Sequence, residues 1–307
     1  MEIVRGIDQE SAGHPCAVTV GTFDGLHRGH MKILSRLKQV ASGRNLCTTL
    51  VTFDPHPKVV VHPETGRNLG LLTTLDEKID LLEKAGIDRL VVITFDQSFS
   101  QTPYESFVKE ILVEKLSARI IIVGYDHGFG KNREGNFERL QELSRKYGFE
   151  IEQIVPFDVD DEIVGSTLIR NLLSQGDVTL AGEYLGRCYS ITGKVVRGNN
   201  IGKQYNFPTA NLAINDPHKM VPANGVYAVD AVLKGEIYKG MLNIGVKPTF
   251  GGNQQTIEVH IFNFDDNLYG EHLAVQFKKR LRDEKKFDSV EALRKQLEVD
   301  KKNSLLI

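Results

Sequence analysis

Between Cys16 and about Val155, short apolar runs alternate with stretches whose apolar positions recur at helical spacing. The runs are "CAVTV", "LCTTLVTF", "RLVVITF", "RIIIVG" and "EIEQIV". Runs this short, flanked by amphipathic segments, read as strands of a mostly parallel sheet. The segments between them read as helices: "DEKIDLLEKAG" closed by Gly86, "PYESFVKEILVEKL" opened by Pro103, and "NFERLQELSRKYG" closed by Gly148. Alternation of this kind predicts an α/β fold whose ligands bind at the carboxyl ends of the strands.

After about Gly186 the pattern changes. "YSITGKVVRG", "GVYAVDAVLKG", "IYKGMLNIG", "QTIEVHIFNF" and "EHLAVQFKKRLR" are short alternating runs parted by glycine, asparagine and aspartate turns. They predict a mainly β, antiparallel barrel. A last helix, "SVEALRKQLEVD", is expected to start from Ser289 as N-cap and to dock through Val290, Leu293 and Leu297. The join falls near Leu185 to Cys188, giving domains 1–185 and 186–307. The length of 307 residues agrees with two domains.

Charge narrows the choice of partner. With 38 Lys+Arg against 40 Asp+Glu, the formal net charge of −2 argues against a broad basic surface for nucleic acid and leaves room for a local cationic pocket. Small-molecule partners are expected, with no nucleic acid and no membrane. Cys16, Cys47 and Cys188 form no C-x-x-C pair, so neither a disulfide framework nor a thiolate zinc site is expected. The first residues lack the plan of a signal peptide and no apolar segment reaches bilayer length, which points to a cytoplasmic protein.

The chemistry concentrates in a few strings. In "VTVGTFDGLHRGHMKIL", a strand stops at Gly21, a glycine-rich turn follows, and His27 and His30 stand one near-turn apart at a helix start. Backbone N–H groups at such a terminus favour an anion, and two imidazoles beside it suit the charge on a phosphate under attack. "GSTLIR" reads as a helix capped by Ser166, with Thr167 and Arg170 on one face to grip phosphate or simply to meet solvent. His56 lies between Pro55 and Pro57 in a stiff loop after a strand.

In the second half, "NFPTANL" puts Thr209 and Asn211 on one face of an extended segment, which reads either as a β-turn followed by a surface strand or as two neutral oxygens suited to Mg²⁺ that also holds ATP phosphates. "VVRGNNIGKQ" supplies Gly198 and Gly202 for a loop whose N–H groups can meet phosphate, though it is no Walker loop. Glu258 in "TIEVHIF" reads either as a proton acceptor or as an outward-facing strand glutamate.

Gly21 to His30 resembles the G-x-F-D-G-x-H-x-G-H form of the nucleotidyltransferase motif. With "TFDPHP", "VGYDHGFGKNREG" and "GSTLIR" it is similar to the adenylyltransferase half of the prokaryotic bifunctional riboflavin kinase/FAD synthetase family. "GKVVRGNNIGKQYNFPTANL", "NGVYAV", "NIGVKPTF", "IEVHIFNFDDNLYG" and "FDSVEALRKQL" follow the order of that family's kinase module. The resemblance runs from about Val18 to Leu297. It implies a Rossmann-like nucleotidyltransferase domain followed by a riboflavin-kinase barrel with a terminal helix, and substrates ATP, riboflavin and FMN with FAD as product.

The resemblance also implies roles. Gly21, Phe23, Asp24, Ser166, Thr167 and Arg170 meet ATP in adenylyl transfer, with His27, His30 and Arg170 catalytic. His56 and Asp126 meet flavin or phosphate. In the kinase, Gly198, Gly202, Thr209 and Asn211 hold ATP, Thr209 and Asn211 hold Mg²⁺, Glu258 is the general base, and Arg282 and Phe287 meet the flavin. The chain departs from the family pattern at Gly165, His127, Lys203, Gln204 and Asn206, which bears on affinity and kinase efficiency more than on reaction type. Competing readings are an adenylyltransferase with a flavin-binding but weakly active barrel, and an ATP- or flavin-sensing regulator.

Overall fold

Every position of the strand Cys16–Val20 is buried, because alternate side chains enter two different cores. In the computed structural model, which describes residues 1–6, 14–62, 64, 69–125, 128, 130, 134–159, 162–198, 207–249 and 252–307, this strand is the second of six in a wholly parallel sheet. The strands are β1 (Glu2–Arg5), β2 (Cys16–Val20), β3 (Cys47–Asp54), β4 (Arg89–Thr94), β5 (Ala118–Gly124) and β6 (Glu150–Ile154). Their order is β1-β4-β3-β2-β5-β6.

Helices cover both faces of that sheet. α1 (Arg28–Arg44) follows β2, α2 (Pro57–Val61) follows β3, and α3 (Leu75–Lys84) precedes β4. Ala17 of β2 packs with Leu34 and Leu37 of α1 and Leu82 of α3. Val18 and Val20 face the opposite core, with Leu112 and Leu140. Each such buried aliphatic side chain contributes about 1.5–3 kcal/mol relative to exposure. α4 (Tyr104–Ser106) continues into a π-helical stretch, Phe107–Lys115, and α5 (Phe137–Tyr147) leads to β6. A short pair, β7 (Asp158–Val159) and β8 (Glu162–Ile163), ends this unit.

The chain order reverses beside β2: β3 and β4 lie on one side, β5 and β6 on the other. Ligands of open α/β sheets bind outside the carboxyl ends of the strands at such a switch point. The glycine-rich turn leaves β2 there.

The chain divides into the units Met1–Ser166 and Thr167–Ile307. The second contains α6 (Ser166–Gln175) beyond its first residue, α7 (Val178–Leu185), β9 (Ser190–Val196), β10 (Ala210–Ala213), β11 (Gly225–Leu233), β12 (Glu236–Thr249), β13 (Gly252–Ile261), β14 (His272–Arg282) and α8 (Val290–Leu305). The six strands close into an antiparallel barrel in the order β10-β13-β12-β11-β14-β9. Tyr227, Leu242, Val259 and Phe277 are buried, with Tyr227 and Phe277 edge to face at 5.2 Å. α6 and α7 pack within this unit: the Ala223 N–H donates to the Leu173 carbonyl at 2.9 Å, and the Thr179 hydroxyl to the Lys278 carbonyl at 3.3 Å.

The structure departs from the sequence reading at several points. β1 was not expected. It has four residues of which only Val4 is buried, so no apolar run announces it, and pairing with β4 creates it. The helix opened by Pro103 is mainly π-helical, with Leu116 N–H reaching the Ile111 carbonyl at 2.9 Å. α8 begins from Ser289 as expected, its hydroxyl accepting from Ala292 N–H. Val290, however, is 48 % exposed. Leu297 docks on Phe207, Met241 and Phe262, while Asp300 and Ser304 are the helix's buried residues. Leu297, Asp300 and Ser304 stand at i, i+3 and i+7 and so share the docked face, where Asp300 holds an ion pair with Arg282. Among the described residues no helix is long and apolar enough to cross a membrane.

Candidate active sites

The turn after β2 is built from backbone that most residues avoid. Phe23 has φ +46° and Leu26 φ +41°, left-handed values that cost about 1–3 kcal/mol at a non-glycine residue and persist only where the surroundings impose them. Both side chains are buried. The Asp24 carboxylate, also buried, accepts from Leu72 N–H at 2.9 Å, Thr73 N–H at 3.0 Å and the Thr73 hydroxyl at 3.4 Å. Gly25 N–H donates to the Thr73 hydroxyl at 3.1 Å. Asp24 thus ties the turn to the segment before α3.

His27 is the N-cap of α1, and its Nδ1 accepts from His30 N–H at 3.4 Å. The two rings stack with centroids 3.7 Å apart and 24° between planes, and Phe23 stands 4.9 Å from His30. The expected common face is therefore present. A Cβ on Gly29 would meet His27 Nδ1 at 3.1 Å and the Val164 carbonyl at 3.4 Å, so a glycine there lets the histidines approach. The helix N-terminus adds partial positive charge at this point.

The other first-half residues named above are placed as follows. His56 is the N-cap of α2, accepting from Lys58 N–H at 3.1 Å, at the carboxyl end of β3. Ser166, expected as a cap, is the first residue of α6, and its hydroxyl donates to the Asp24 carbonyl at 2.9 Å. Thr167 and Arg170 lie three apart on α6, exposed and half-buried. Gly165 is half-buried with nothing near the place of a Cβ. Asp126 and His127, like Gly202, Lys203, Gln204 and Asn206, lie outside the described residues.

The second site lies across the barrel strands. Asn211 of β10 and Asn243 of β12 are the two cross-strand partners of Glu258. With Val226 and Arg282 they continue one row, Arg282–Val226–Asn243–Glu258–Asn211. Alternation puts this row opposite to buried Ile257 and Val259, on the face that α8 partly covers. Glu258 is half-buried, and the Thr209 hydroxyl donates to its Oε2 at 3.2 Å. A Cβ on Gly198 would stand 2.0 Å from Asn211 Nδ2. Gly198, Thr209, Asn211 and Glu258 are thus brought together.

Two neighbours hold this arrangement. The His260 ring Nδ1–H donates to the Pro208 carbonyl at 2.7 Å, anchoring the residue before Thr209. Burial pushes His260 below the ordinary histidine range; the bond to Pro208 opposes this and Lys301 adds to it. Arg282 makes a forked bond to the Asp300 carboxylate, Nη2 to Oδ2 at 2.8 Å and Nε to Oδ1 at 3.1 Å, with the Asp300 side chain 2 % exposed. The Phe287 ring centre lies 5.8 Å from Arg282 Cζ.

Sequence reasoning missed Asn243, His260, Asp300 and Lys78, which is considered below. Asn243 carried the same signal as Glu258, a polar residue inside an alternating apolar strand. Lys78 carried none, since a lysine in "DEKIDLL" looks like any solvated helix residue. Hard oxygen donors from a hydroxyl, an amide and a carboxylate at the second site suit Mg²⁺. Among the described residues no group of three or more His, Cys, Asp or Glu is placed to hold a metal.

Comparison with known proteins adds independent findings. Residues 9–168 match the family model for FAD synthetase, and residues 185–306 the model for riboflavin kinase. Proteins described as bifunctional riboflavin kinase/FMN adenylyltransferase are similar along nearly all their length. The one from Haemophilus influenzae is 38% identical over 304 residues, covering 98% of this chain and 97% of the relative. That of Escherichia coli K12 is 35% identical over 303 residues, covering 98% and 96%. That of Bacillus subtilis is 35% identical over 292 residues, covering 94% and 91%. A crystal structure described as a macrolide-efflux protein from Streptococcus pneumoniae superposes with a TM-score of 0.91 at 30% identity, covering 99% of both chains.

Proposed function

The chain belongs to the family of bifunctional riboflavin kinase/FMN adenylyltransferases, and from that premise we propose how its residues divide the two reactions. It is a transferase that phosphorylates riboflavin to FMN and then joins FMN to the AMP part of a second ATP, releasing pyrophosphate and FAD. The functional domains are taken as 1–185 and 186–307, a reading supported by a riboflavin kinase match over residues 185–306.

In the kinase domain, Glu258 accepts the proton of the ribityl 5′-hydroxyl as that oxygen attacks the γ-phosphorus of ATP. Thr209 and Asn211 hold Mg²⁺, which when bound neutralises phosphate charge. The Thr209–Glu258 bond aims the carboxylate, Gly198 lets the chain approach Asn211, and Gly198 and Gly202 shape the nucleotide loop. Phe287 borders the flavin, with Arg282 holding that edge through Asp300. Catalysis by positioned charge and fixed geometry suffices for phosphoryl transfer, which needs little covalent chemistry from the protein.

In the adenylyltransferase domain, an FMN phosphate oxygen attacks the α-phosphorus of ATP and the bond to pyrophosphate breaks. His27, His30 and Arg170 stabilise the charge that develops. Gly21, Phe23, Asp24, Ser166 and Thr167 form the ATP cradle, Asp24 by holding the turn and the others by contact. His56 and Asp126 meet the flavin or its phosphate. The partners are small molecules rather than nucleic acid, and the location is the cytoplasm, where the free cysteines Cys16, Cys47 and Cys188 stay reduced.

One observation supports this division: the stacked histidines belong to one compact unit and the Thr209–Glu258 pair to the other. Incubation with riboflavin, ATP and Mg²⁺ followed by flavin chromatography tests it. FMN and FAD should both accumulate, and supplied FMN should yield FAD without riboflavin. A preparation that leaves both flavins unchanged refutes the reading.

A further inference from the structure

A lysine lies buried behind the strained turn. Lys78, on the first half of α3, is 6 % exposed. Its Nζ donates to the Thr22 carbonyl at 2.7 Å and to the Thr52 hydroxyl at 3.2 Å, and that hydroxyl in turn donates to the Thr22 carbonyl at 3.3 Å. Among the described residues no carboxylate forms an ion pair with it. Burial pushes the ammonium below the usual lysine range, opposed at longer distance by Asp24 and Asp54. A charge so placed is costly unless its surroundings use it.

The Thr22 carbonyl belongs to the peptide that leads into Phe23, the first left-handed residue of the turn. In a trans peptide the carbonyl and the following N–H point in opposite directions. Holding the Thr22 oxygen toward Lys78 therefore turns the Phe23 N–H away from α3. Among the described residues that N–H donates to no protein acceptor. A charge-assisted bond at the carbonyl also polarises the peptide, making its N–H a stronger donor. Successive N–H groups exposed by a turn of this kind form an anion-binding concavity.

From this geometry we infer that Lys78 is a positioning residue for adenylyl transfer. Its ammonium fixes the Thr22–Phe23 peptide so that the Phe23 N–H faces the ATP phosphate under attack, and it sets a positive charge behind that peptide. Lys78 itself touches neither substrate. The inference rests on placing adenylyl transfer at this turn.

The test compares full-length wild type, Lys78→Met, Lys78→Gln and His30→Ala with FMN, ATP and Mg²⁺, and separately with riboflavin. Lys78→Met keeps length and loses the donor and the charge. It should lower kcat for FAD formation about 100-fold, the order of effect of removing one preorganised donor, while KM for FMN stays within about twofold. Riboflavin phosphorylation, in the other unit, should also stay within about twofold, and wild-type hydrogen-exchange protection of the α1 and α3 amides shows the first unit to be folded. Lys78→Gln restores a donor without the charge and should recover about tenfold of the loss. A Lys78→Met enzyme with wild-type kcat for FAD, or one that loses only affinity for ATP, overturns the inference. If Lys78→Met does not fold, Lys78→Gln carries the test, and wild-type kcat there overturns it equally. If His30→Ala makes FAD at the wild-type rate, the placement of the site fails and the inference with it. Loss in His30→Ala beside full activity in Lys78→Met refutes the role of Lys78 alone.

Discussion

The Thr209 hydroxyl, just before β10, donates to Glu258 Oε2 at 3.2 Å, and the pairing of β10 with β13 brings Asn211 opposite the same carboxylate. Residues 49 apart in sequence thus form one unit in which a neutral donor aims a charged acceptor. Glu258→Gln keeps the shape and removes the base. Riboflavin phosphorylation should fall about 10²–10⁴-fold, while supplied FMN is still converted to FAD. Parallel assays of the two steps check this, and equal loss of both contradicts separate sites.

Replacing Gly198 tests the loop beside that pair. Its Cβ would stand 2.0 Å from Asn211 Nδ2 and 2.5 Å from Asn211 Cγ, so Gly198→Ala must displace the amide. Phosphorylation of riboflavin should drop by at least about tenfold, an angstrom-scale misplacement being enough for 10²-fold. The KM for ATP in the kinase step is the sensitive readout, and FAD formation from FMN should not change.

His27 has two duties, as N-cap of α1 and as one of the stacked rings. His27→Asn keeps a good cap, whereas His27→Ala loses it at a cost of about 1 kcal/mol. Both should abolish FAD formation from FMN, but only the alanine variant should lower the stability of the first unit. Hydrogen exchange of α1 amides separates the effects. Equal FAD formation by His27→Asn and wild type excludes a role for the imidazole.

The Arg282–Asp300 pair sets how α8 sits on the barrel. With the Asp300 side chain 2 % exposed and Arg282 20 %, removing one partner leaves the other charge buried, which costs about 3 kcal/mol. Asp300→Leu should therefore speed hydrogen exchange of α8 amides on the order of 100-fold, the change that this free energy implies. Unchanged protection of Val290–Leu305 contradicts the anchoring role.

His260 gives the second unit a pH dependence of definite sign. The folded state holds this imidazole below its unfolded value of about 6.5, chiefly through burial. Above about pH 6.5 the ring is neutral in both states. As pH falls through the lowered folded value, the folded state must accept a proton against burial, so stability present at neutral pH is lost. Urea resistance of the barrel amides should be lower at pH 5 than at pH 7.5, and His260→Gln should narrow that difference. A variant with the same pH dependence as wild type refutes the assignment.

Much of the candidate chemistry was legible because local constraint reveals it. His27 and His30 stand at a helix start, and Thr209 and Asn211 two apart in an extended segment. Periodicity of this kind depends only on backbone geometry. Arg282 shows the limit. The family resemblance implies a flavin contact there, while only the fold shows its guanidinium forked onto Asp300, eighteen positions on, in a helix whose rotation no local pattern specifies.

The residues alone determined the alternation of strand and helix, the change of grammar after Gly186, the turn that sets His27 and His30 on one face and the family resemblance, since each rests on spacing along the chain. Tertiary structure decided which strand follows which in the sheet, that β1 exists, that Glu258 pairs with Thr209 and has Asn243 as its neighbour, and that Lys78 lies beneath Thr22. These depend on pairings between distant segments, where burial and hydrogen bonding override what a residue type prefers by itself.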